Sequence, residues 1–170
     1  LVRIQAIPKM LSMIGSVIRG IGRQDLERIK TITRQAFPSV PQVTTEQLAE
    51  WMNKSEPSLL LVDVRAPHEF EISQLQGAVN LTTSAAIAKA IRERKPSTCI
   101  LYCSVGFRSS RLADQLARQG IAGVANLEGS IFQWANEGRP LYRDATPVHQ
   151  VHPYSKRWAG LLRPEVAATI

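Results

Sequence analysis

Short apolar runs and amphipathic stretches alternate along the middle of the chain. Residues 59–64 read Leu-Leu-Leu-Val-Asp-Val, and residues 99–103 read Cys-Ile-Leu-Tyr-Cys. Nearly continuous apolar runs of this length are typical of strands buried on both faces of a parallel sheet. A third, shorter run covers residues 123–127. The pattern therefore predicts at least three buried strands.

The segments between these runs have apolar residues at helical spacing. Thr44 with Gln47 three residues later forms the sequence pattern of a capping box, which predicts a helix through Trp51. Further helices are predicted over residues 84–94, 109–119 and 130–137, each followed by a proline or a glycine. Alternating strands and helices indicate an α/β domain with a parallel sheet and right-handed crossovers.

The first forty residues differ from this domain in pattern and in charge. They hold seven basic and two acidic residues, and so most of the net charge of +7. We interpret residues 1–38 as a basic amphipathic helical arm that packs on its own domain or on a partner. Two alternatives stay open for residues 1–23, a membrane-surface helix and an organelle-targeting leader. Because the patterned core begins near Val43, we expect the domain to fold without residues 1–38.

Composition and charge exclude several classes of protein. The chain has 170 residues, of which 44% are hydrophobic, which excludes a disordered or low-complexity chain. The excess of basic residues is confined to the arm, so we expect no nucleic-acid partner. The two cysteines are too few for a disulfide framework or a four-cysteine zinc site, which favours a reducing, cytoplasmic location.

The last thirty residues carry aromatic residues among scattered prolines. We divide the chain into the arm, a domain over residues 42–142 and a tail over residues 143–170 that packs on or near the domain. His149 and His152 lie in this tail without a third ligand in view, so we predict no metal site.

The candidate chemistry centres on Cys103, the last residue of a predicted buried strand. In α/β sheets, reactive groups collect where a strand ends and the next helix begins. The amides of the following loop, the helix N-terminus and the charge of Arg108 all favour the thiolate. In such surroundings a thiol pKa near 8.5 falls to roughly 3.5–7.5. We expect Cys99 to be a buried structural residue.

A disulfide between the two cysteines is excluded by strand geometry. Four residues along a strand span about 13 Å at ~3.3 Å per residue. A disulfide needs Cα atoms roughly 4.4–6.8 Å apart. Any resolving thiol therefore comes from another molecule.

Five separated motifs, in order, resemble the rhodanese family over roughly residues 42–142. They are Asp63-Val64-Arg65, Glu69-Phe70, Gly77-Ala78-Val79-Asn80, Tyr102-Cys103-Ser104-Val105-Gly106-Phe107-Arg108-Ser109, and Asn126-Leu127-Glu128-Gly129-Ser130 followed by Trp134 and Gly138-Arg139-Pro140-Leu141. The chain departs from the family at residues 73–76, which read Ser-Gln-Leu-Gln where members usually have Gly-His-Ile-Pro.

This resemblance implies a rhodanese-like fold, with a central five-stranded parallel sheet flanked by helices. It implies a sulfurtransferase that needs no metal or cofactor and works through a Cys103 persulfide. The donor would be thiosulfate or another persulfide compound, and the acceptor cyanide, a thiol or a protein. Arg108 would bind the anionic donor, and the loop would hold the persulfide through its amides, from Ser104, Val105, Gly106 and Phe107 to Ser109.

Alternatives to this activity remain at the sequence level. Four residues separate Cys103 from Arg108, whereas cysteine phosphatases have five, so the shorter loop suits a single sulfur atom better than a phosphate group. The competing interpretation is a non-catalytic rhodanese-fold interaction module, membrane-associated through the arm. Asp63 and Arg65 end the earlier strand, and we interpret them as a supporting ion-pair set in which Asp63 or Glu69 fixes Arg65. The alternative is that Arg65 helps to seat the donor.

Overall fold

The buried apolar runs form the centre of a parallel sheet in the computed structural model, which describes residues 22–54 and 58–170. The strands are β1 (Gln42–Val43), β2 (Leu59–Asp63), β3 (Val79–Asn80), β4 (Thr98–Tyr102), β5 (Val124–Leu127), β6 (Leu141–Arg143) and β7 (Thr146–Val148). The helices are α1 (Asp25–Ala36), α2 (Thr45–Asn53), α3 (Pro67–Phe70), α4 (Ser84–Arg94), α5 (Phe107–Arg118) and α6 (Ser130–Asn136). Short 3₁₀ turns cover Trp158–Leu161 and Pro164–Val166.

Five strands pair in the order β1-β5-β4-β2-β3, and every pair is parallel. The central strands β2 and β4 are buried along most of their length, as their apolar runs require. Asp63 lies opposite Tyr102 in the register, so both strands end at the same edge of the sheet. Cys103 is the first residue beyond β4, so the strand ends one residue earlier than the predicted end at Cys103. The predicted five-stranded parallel sheet flanked by helices is confirmed.

The helix boundaries follow local signals. The Thr44–Gln47 capping box is present at the start of α2, with both reciprocal hydrogen bonds made. Helix α5 begins at Phe107, two residues before the predicted start at Ser109. The reason lies at Gly106, whose positive φ of 99° turns the chain directly from the loop into the helix.

The described part of the arm belongs to the core. Leu26 and Ile29 of α1 are almost fully buried, and the Phe37 ring meets Phe107 of α5 with centroids 5.2 Å apart. Arg34 also forms an ion pair with Glu128 at the end of β5. The expectation that the domain folds without residues 1–38 stays a prediction, and the burial of α1 argues against it. Amphipathic periodicity predicted the helix without indicating what would cover its apolar face.

Residues 1–21, which carry most of the predicted surface helix or targeting leader, lie outside the described residues. Among the helices that the structure describes, none has the length and apolar character needed to cross a membrane.

The tail forms a hairpin and then closes over one side of the domain. Strands β6 and β7 pair antiparallel, and Val151 makes an isolated parallel bridge with Ala167. Val151, Leu161 and Val166 are buried in the same apolar cluster as the sheet. The segment between Val151 and Leu161 is thus fixed at both ends by buried side chains.

Candidate active site

The Cys103 thiol lies in a loop that closes around its sulfur atom. The Gly106 N–H donates to Cys103 Sγ at 3.2 Å. The Ser109 hydroxyl oxygen lies 3.5 Å from Sγ and 2.6 Å from Asn126 Oδ1. Cys103 is only 1% exposed. The loop and the start of α5 therefore present polar hydrogens to a sulfur atom that water hardly reaches.

This environment shifts the pKa of Cys103 downward. Burial raises the pKa, but the charge of Arg108 and hydrogen bonds from Ser109 and Gly106 together outweigh it. Cys99 shows what burial does alone, since it raises the pKa of that thiol to about 12. Both cysteines are free. Of the two, only Cys103 is placed to react as a thiolate.

Position 106 requires glycine for two reasons, its backbone conformation and the lack of space for a side chain. Its φ of 99° lies in a region that side-chain-bearing residues rarely adopt. A Cβ there would lie 3.1 Å from Asn126 Nδ2, closer than ordinary contact. Asn126 is itself held by Gln42, whose Oε1 accepts from Asn126 Nδ2 at 2.7 Å.

The start of α6 fixes the other side of the loop. The Cys103 N–H donates to the Ser130 hydroxyl at 3.2 Å. The carbonyls of Cys103 and Ser104 accept from the Ile131 and Phe132 amides at 3.2 and 3.0 Å. Ser130 was not singled out from sequence, because its contact with Cys103 joins residues 27 positions apart.

The predicted loop residues contribute in different ways. The side chains of Val105 and Phe107 are buried in the two apolar clusters, so they anchor the loop. Ser104 instead faces the charged groups, since its hydroxyl lies 3.2 Å from Glu69 Oε1. The loop thus combines an apolar base with a polar rim.

Arg108 is engaged by a carboxylate, which the sequence did not indicate. Its Nη1 donates to Glu69 Oε2 at 2.9 Å, and its Nη2 donates to Glu69 Oε1 at 3.0 Å and to the Ser104 hydroxyl at 2.9 Å. Glu69 is buried, and the Arg108 side chain keeps 30% of its surface exposed. Burial raises the pKa of Glu69, and Arg108 together with the Ala66 N–H lowers it below its usual value. Arg108 is therefore a fixed, partly compensated cation.

Asp63 and Arg65 form a separate, fully buried ion pair. Arg65 Nη2 donates to Asp63 Oδ2 at 2.7 Å and to the Ser73 carbonyl at 2.6 Å, and both side chains have no exposed surface. Leu75 uses its N–H to bind the Tyr102 hydroxyl at 3.1 Å. The segment that departs from the family pattern thus closes over this pair. The geometry fits a supporting role through Asp63, with Glu69 assigned to Arg108 instead.

The tail reaches the same site. The Tyr154 ring lies over the Arg108 guanidinium, 4.9 Å from its carbon to the ring centroid. His152 meets His68 edge to face, with ring centroids 5.1 Å apart. Sequence patterns indicate no role for His68 or Tyr154, because their contacts join the tail to the loop region. Within residues 22–54 and 58–170, no group of three or more His, Cys, Asp or Glu side chains is arranged to hold a metal ion.

The comparison with known families decides the identity of the domain. A profile described as a Rhodanese-like domain matches residues 44–137, more than half of the chain. The protein belongs to the rhodanese-like domain family. The match ends before β6, so the tail that carries His152 and Tyr154 lies outside the part shared with the family profile.

Individual relatives are more distant. The chain is 30% identical over 102 residues to a sulfurtransferase of Allochromatium vinosum, which covers 60% of this chain and 94% of the relative. It is 30% identical over 103 residues to the probable adenylyltransferase/sulfurtransferase MoeZ of Mycobacterium tuberculosis, covering 58% of this chain and only 25% of that protein. The region aligned with this chain is thus a quarter of the MoeZ length.

A solved structure shows the same fold. The thiosulfate sulfurtransferase of Pseudomonas aeruginosa superposes with a TM-score of 0.59 at 16% identity, covering 74% of this chain and 24% of that one. At this identity the likeness supports the fold alone.

Proposed function

We propose that this rhodanese-like protein is a sulfurtransferase that moves a sulfane sulfur from thiosulfate, or another persulfide donor, to a thiophilic acceptor through a persulfide on Cys103. The observation that carries the proposal is a buried thiol with a lowered pKa inside a loop of amides and beside a fixed cation. Relatives named sulfurtransferases support sulfur transfer in general.

The first step consumes the donor. The Cys103 thiolate attacks the outer sulfur of thiosulfate, so that a new S–S bond forms while the sulfur–sulfur bond of the donor breaks. The bonding electron pair leaves with sulfite. Arg108 retains partial exposure, and we assign it an electrostatic contact with the dianionic donor that does not use the two nitrogens bound to Glu69.

The second step returns the enzyme to its starting state. Until the acceptor arrives, the loop amides and the positive N-terminal end of α5 stabilise the negative outer sulfur. The first amides of a helix have no acceptor within the helix, so they are available for this role. Cyanide, a small thiolate or a protein thiolate then attacks the outer sulfur, and Cys103 leaves as a thiolate. All atoms balance without a metal or cofactor.

The Glu69 carboxylate disfavours phosphate chemistry at this site. A phosphate dianion binds best to an arginine with its fork free for two parallel hydrogen bonds. In this protein the fork of Arg108 is occupied by Glu69. Thiosulfate needs less from the arginine, because its reacting sulfur goes to the loop rather than to a guanidinium.

A cytoplasmic location remains a prediction from the free cysteines.

The direct test is sulfur transfer from thiosulfate to cyanide by matched cysteine variants. We expect Cys103→Ser to abolish turnover and Cys99→Ala to retain it, since Cys99 lies within β4 and has a pKa of about 12. Folding of both variants is checked by circular dichroism. Turnover by folded Cys103→Ser would overturn the proposed persulfide on Cys103, whereas wild-type protein without turnover would favour an interaction module.

A further inference from the structure

The ring of Tyr154 lies over the guanidinium of Arg108 although the ring itself is not buried in an apolar environment. Tyr154 is 50% exposed, and among the described residues only it and Ile170 are large apolar side chains with so much exposed surface. Hydrophobic burial therefore does not explain why the ring lies on the Arg108 guanidinium at 4.9 Å. A cation within about 6 Å of an aromatic face is attracted to it.

The backbone at Tyr154 is strained to hold this position. Its φ is 66°, in the left-handed region that a bulky residue rarely adopts. Such conformations persist where neighbouring structure enforces them, and they cluster at functional sites. Two contacts enforce this one: the Tyr154 N–H donates to His152 Nδ1 at 3.0 Å, and the Trp158 ring meets the tyrosine edge at 5.9 Å between centroids.

The supports of Tyr154 are themselves anchored. Val151 is fully buried, and its N–H donates to the Val166 carbonyl at 2.7 Å. Trp158 packs against both apolar clusters and leads into the buried Leu161. The tyrosine thus projects from a short, doubly fixed segment rather than from a free chain end.

The guanidinium of Arg108 has three partners, which contact different parts of the group. The edge of the group is used by Glu69 and Ser104, and one face is used by Tyr154. Hydrogen bonds along the edge alone leave the guanidinium plane free to tilt relative to its ion-pair partner. A ring packed against one face of the plane opposes that tilt. The orientation of Arg108 matters because its charge helps to lower the pKa of Cys103.

We propose that Tyr154 is a positioning residue, which holds the Arg108 guanidinium in the orientation that serves the Cys103 thiolate and the anionic donor. The proposal rests on the proposed sulfurtransferase function for its donor-binding part. It makes residues 152–158 of the tail, which lie beyond the family match at residues 44–137, a working part of the active site.

The test compares two substitutions at the same position. Y154F keeps the ring and removes only the hydroxyl. Y154N removes the ring while keeping a residue that tolerates the left-handed backbone. Ile170→Ala is the matched control, since it truncates the other exposed large side chain of the tail. Y154G serves as a second ring-free variant if Y154N does not fold.

Two readouts separate positioning from a structural role. The first is the rate of Cys103 alkylation as a function of pH in the absence of any sulfur donor. The second is the KM for thiosulfate at fixed acceptor. An exposed cation–π contact is worth about a two- to five-fold change in an equilibrium. We expect Y154N to slow alkylation near neutral pH and to raise this KM by that factor, with Y154F and Ile170→Ala close to wild type.

Two results would overturn the proposal. In the first, Y154N matches wild type in alkylation rate and in KM. In the second, Y154F slows alkylation and raises KM as much as Y154N does. The alkylation readout stands apart from the proposed function. A wild-type protein without sulfur transfer, together with slower alkylation of Y154N, would reject the sulfurtransferase assignment and keep the positioning role.

Discussion

Arg108 and Glu69 are coupled, and we expect their single and double substitutions to shift the Cys103 pKa in a fixed order. Arg108→Met keeps most of the side-chain stem and removes the charge that opposes burial of the thiolate. It also leaves the Glu69 carboxylate, which is 1% exposed, without the cation that binds both of its oxygens. The single variant therefore removes a positive charge and leaves the negative charge of Glu69 uncompensated near the thiolate.

The expected magnitudes follow from this arrangement. An opposite charge nearby lowers an acid's pKa by roughly 1–3 units, and compensation by Glu69 puts Arg108 at the low end. We expect the double variant Glu69→Gln/Arg108→Met to raise the pKa of Cys103 by about one unit, which is about 1.4 kcal/mol. Arg108→Met alone should raise it further, by about two units, because Glu69 then repels the thiolate.

The free energies of unfolding of the single and double variants provide a second, independent test. Breaking a fully buried ion pair by removing one partner costs roughly 3–5 kcal/mol. Because water reaches Arg108, we expect about 2–3 kcal/mol for Arg108→Met, at or below the lower limit of that range. Glu69→Gln in the double variant removes the stranded charge while an amide oxygen can still accept from the Ala66 N–H. The double variant should therefore be the more stable of the two.

The assay is the pH dependence of iodoacetamide alkylation in a Cys99→Ala background, together with urea unfolding of each variant. Only Cys103 then reacts, and the midpoint reports its pKa. The coupling predicts the lowest midpoint for wild type, a higher one for the double variant and the highest for Arg108→Met alone. An unchanged midpoint in Arg108→Met, or a double variant above the single one, would refute the reasoning.

Three further perturbations test other parts of the structure. Gly106→Ala should lower the free energy of unfolding by about 1–3 kcal/mol and reduce sulfur transfer. The reasons are the φ of 99° at Gly106 and the Asn126 amide nitrogen, which lies 3.1 Å from the position of the new Cβ. A variant with wild-type stability and turnover would contradict this. Ile29→Ala should cost about 2–5 kcal/mol in urea unfolding, since α1 belongs to the core; a loss below 0.5 kcal/mol would make α1 a dispensable arm. The pKa of Glu69 is lowered in the folded state. The stabilisation of the fold by Glu69 is therefore present above about pH 4.3 and is lost as the pH falls through the folded pKa. Glu69→Gln should make the free energy of unfolding less dependent on pH in this acidic range, and an unchanged dependence would assign it to other groups.

The sheet and the position of Cys103 at its edge were predictable because their signals are local. The apolar runs at residues 59–64 and 99–103 each encode one buried strand, and Cys103, Gly106 and Arg108 follow the second run within a few residues. Strand, loop and helix in direct succession place a thiol at a helix N-terminus without any tertiary information.

The contacts that tune the site were not predictable, because they join distant segments. The ion pair of Arg108 spans 39 positions to Glu69, and several carboxylates of the chain were equally eligible partners. Tyr154 reaches Arg108 only because the tail is pinned by buried residues on either side of it. The periodicity of α1 likewise predicted an apolar face but not the core residues that cover it.

The measurement that tests the central claim most directly is mass spectrometry of the intact protein and of its Cys103 peptide after treatment with thiosulfate. The account predicts that wild type and Cys99→Ala gain one sulfur atom on Cys103 and release an equal amount of sulfite, and that cyanide or a thiol then removes this sulfur. A folded protein whose Cys103 gains no sulfur from thiosulfate or from a persulfide donor, or one that carries the added sulfur on Cys99, would contradict it.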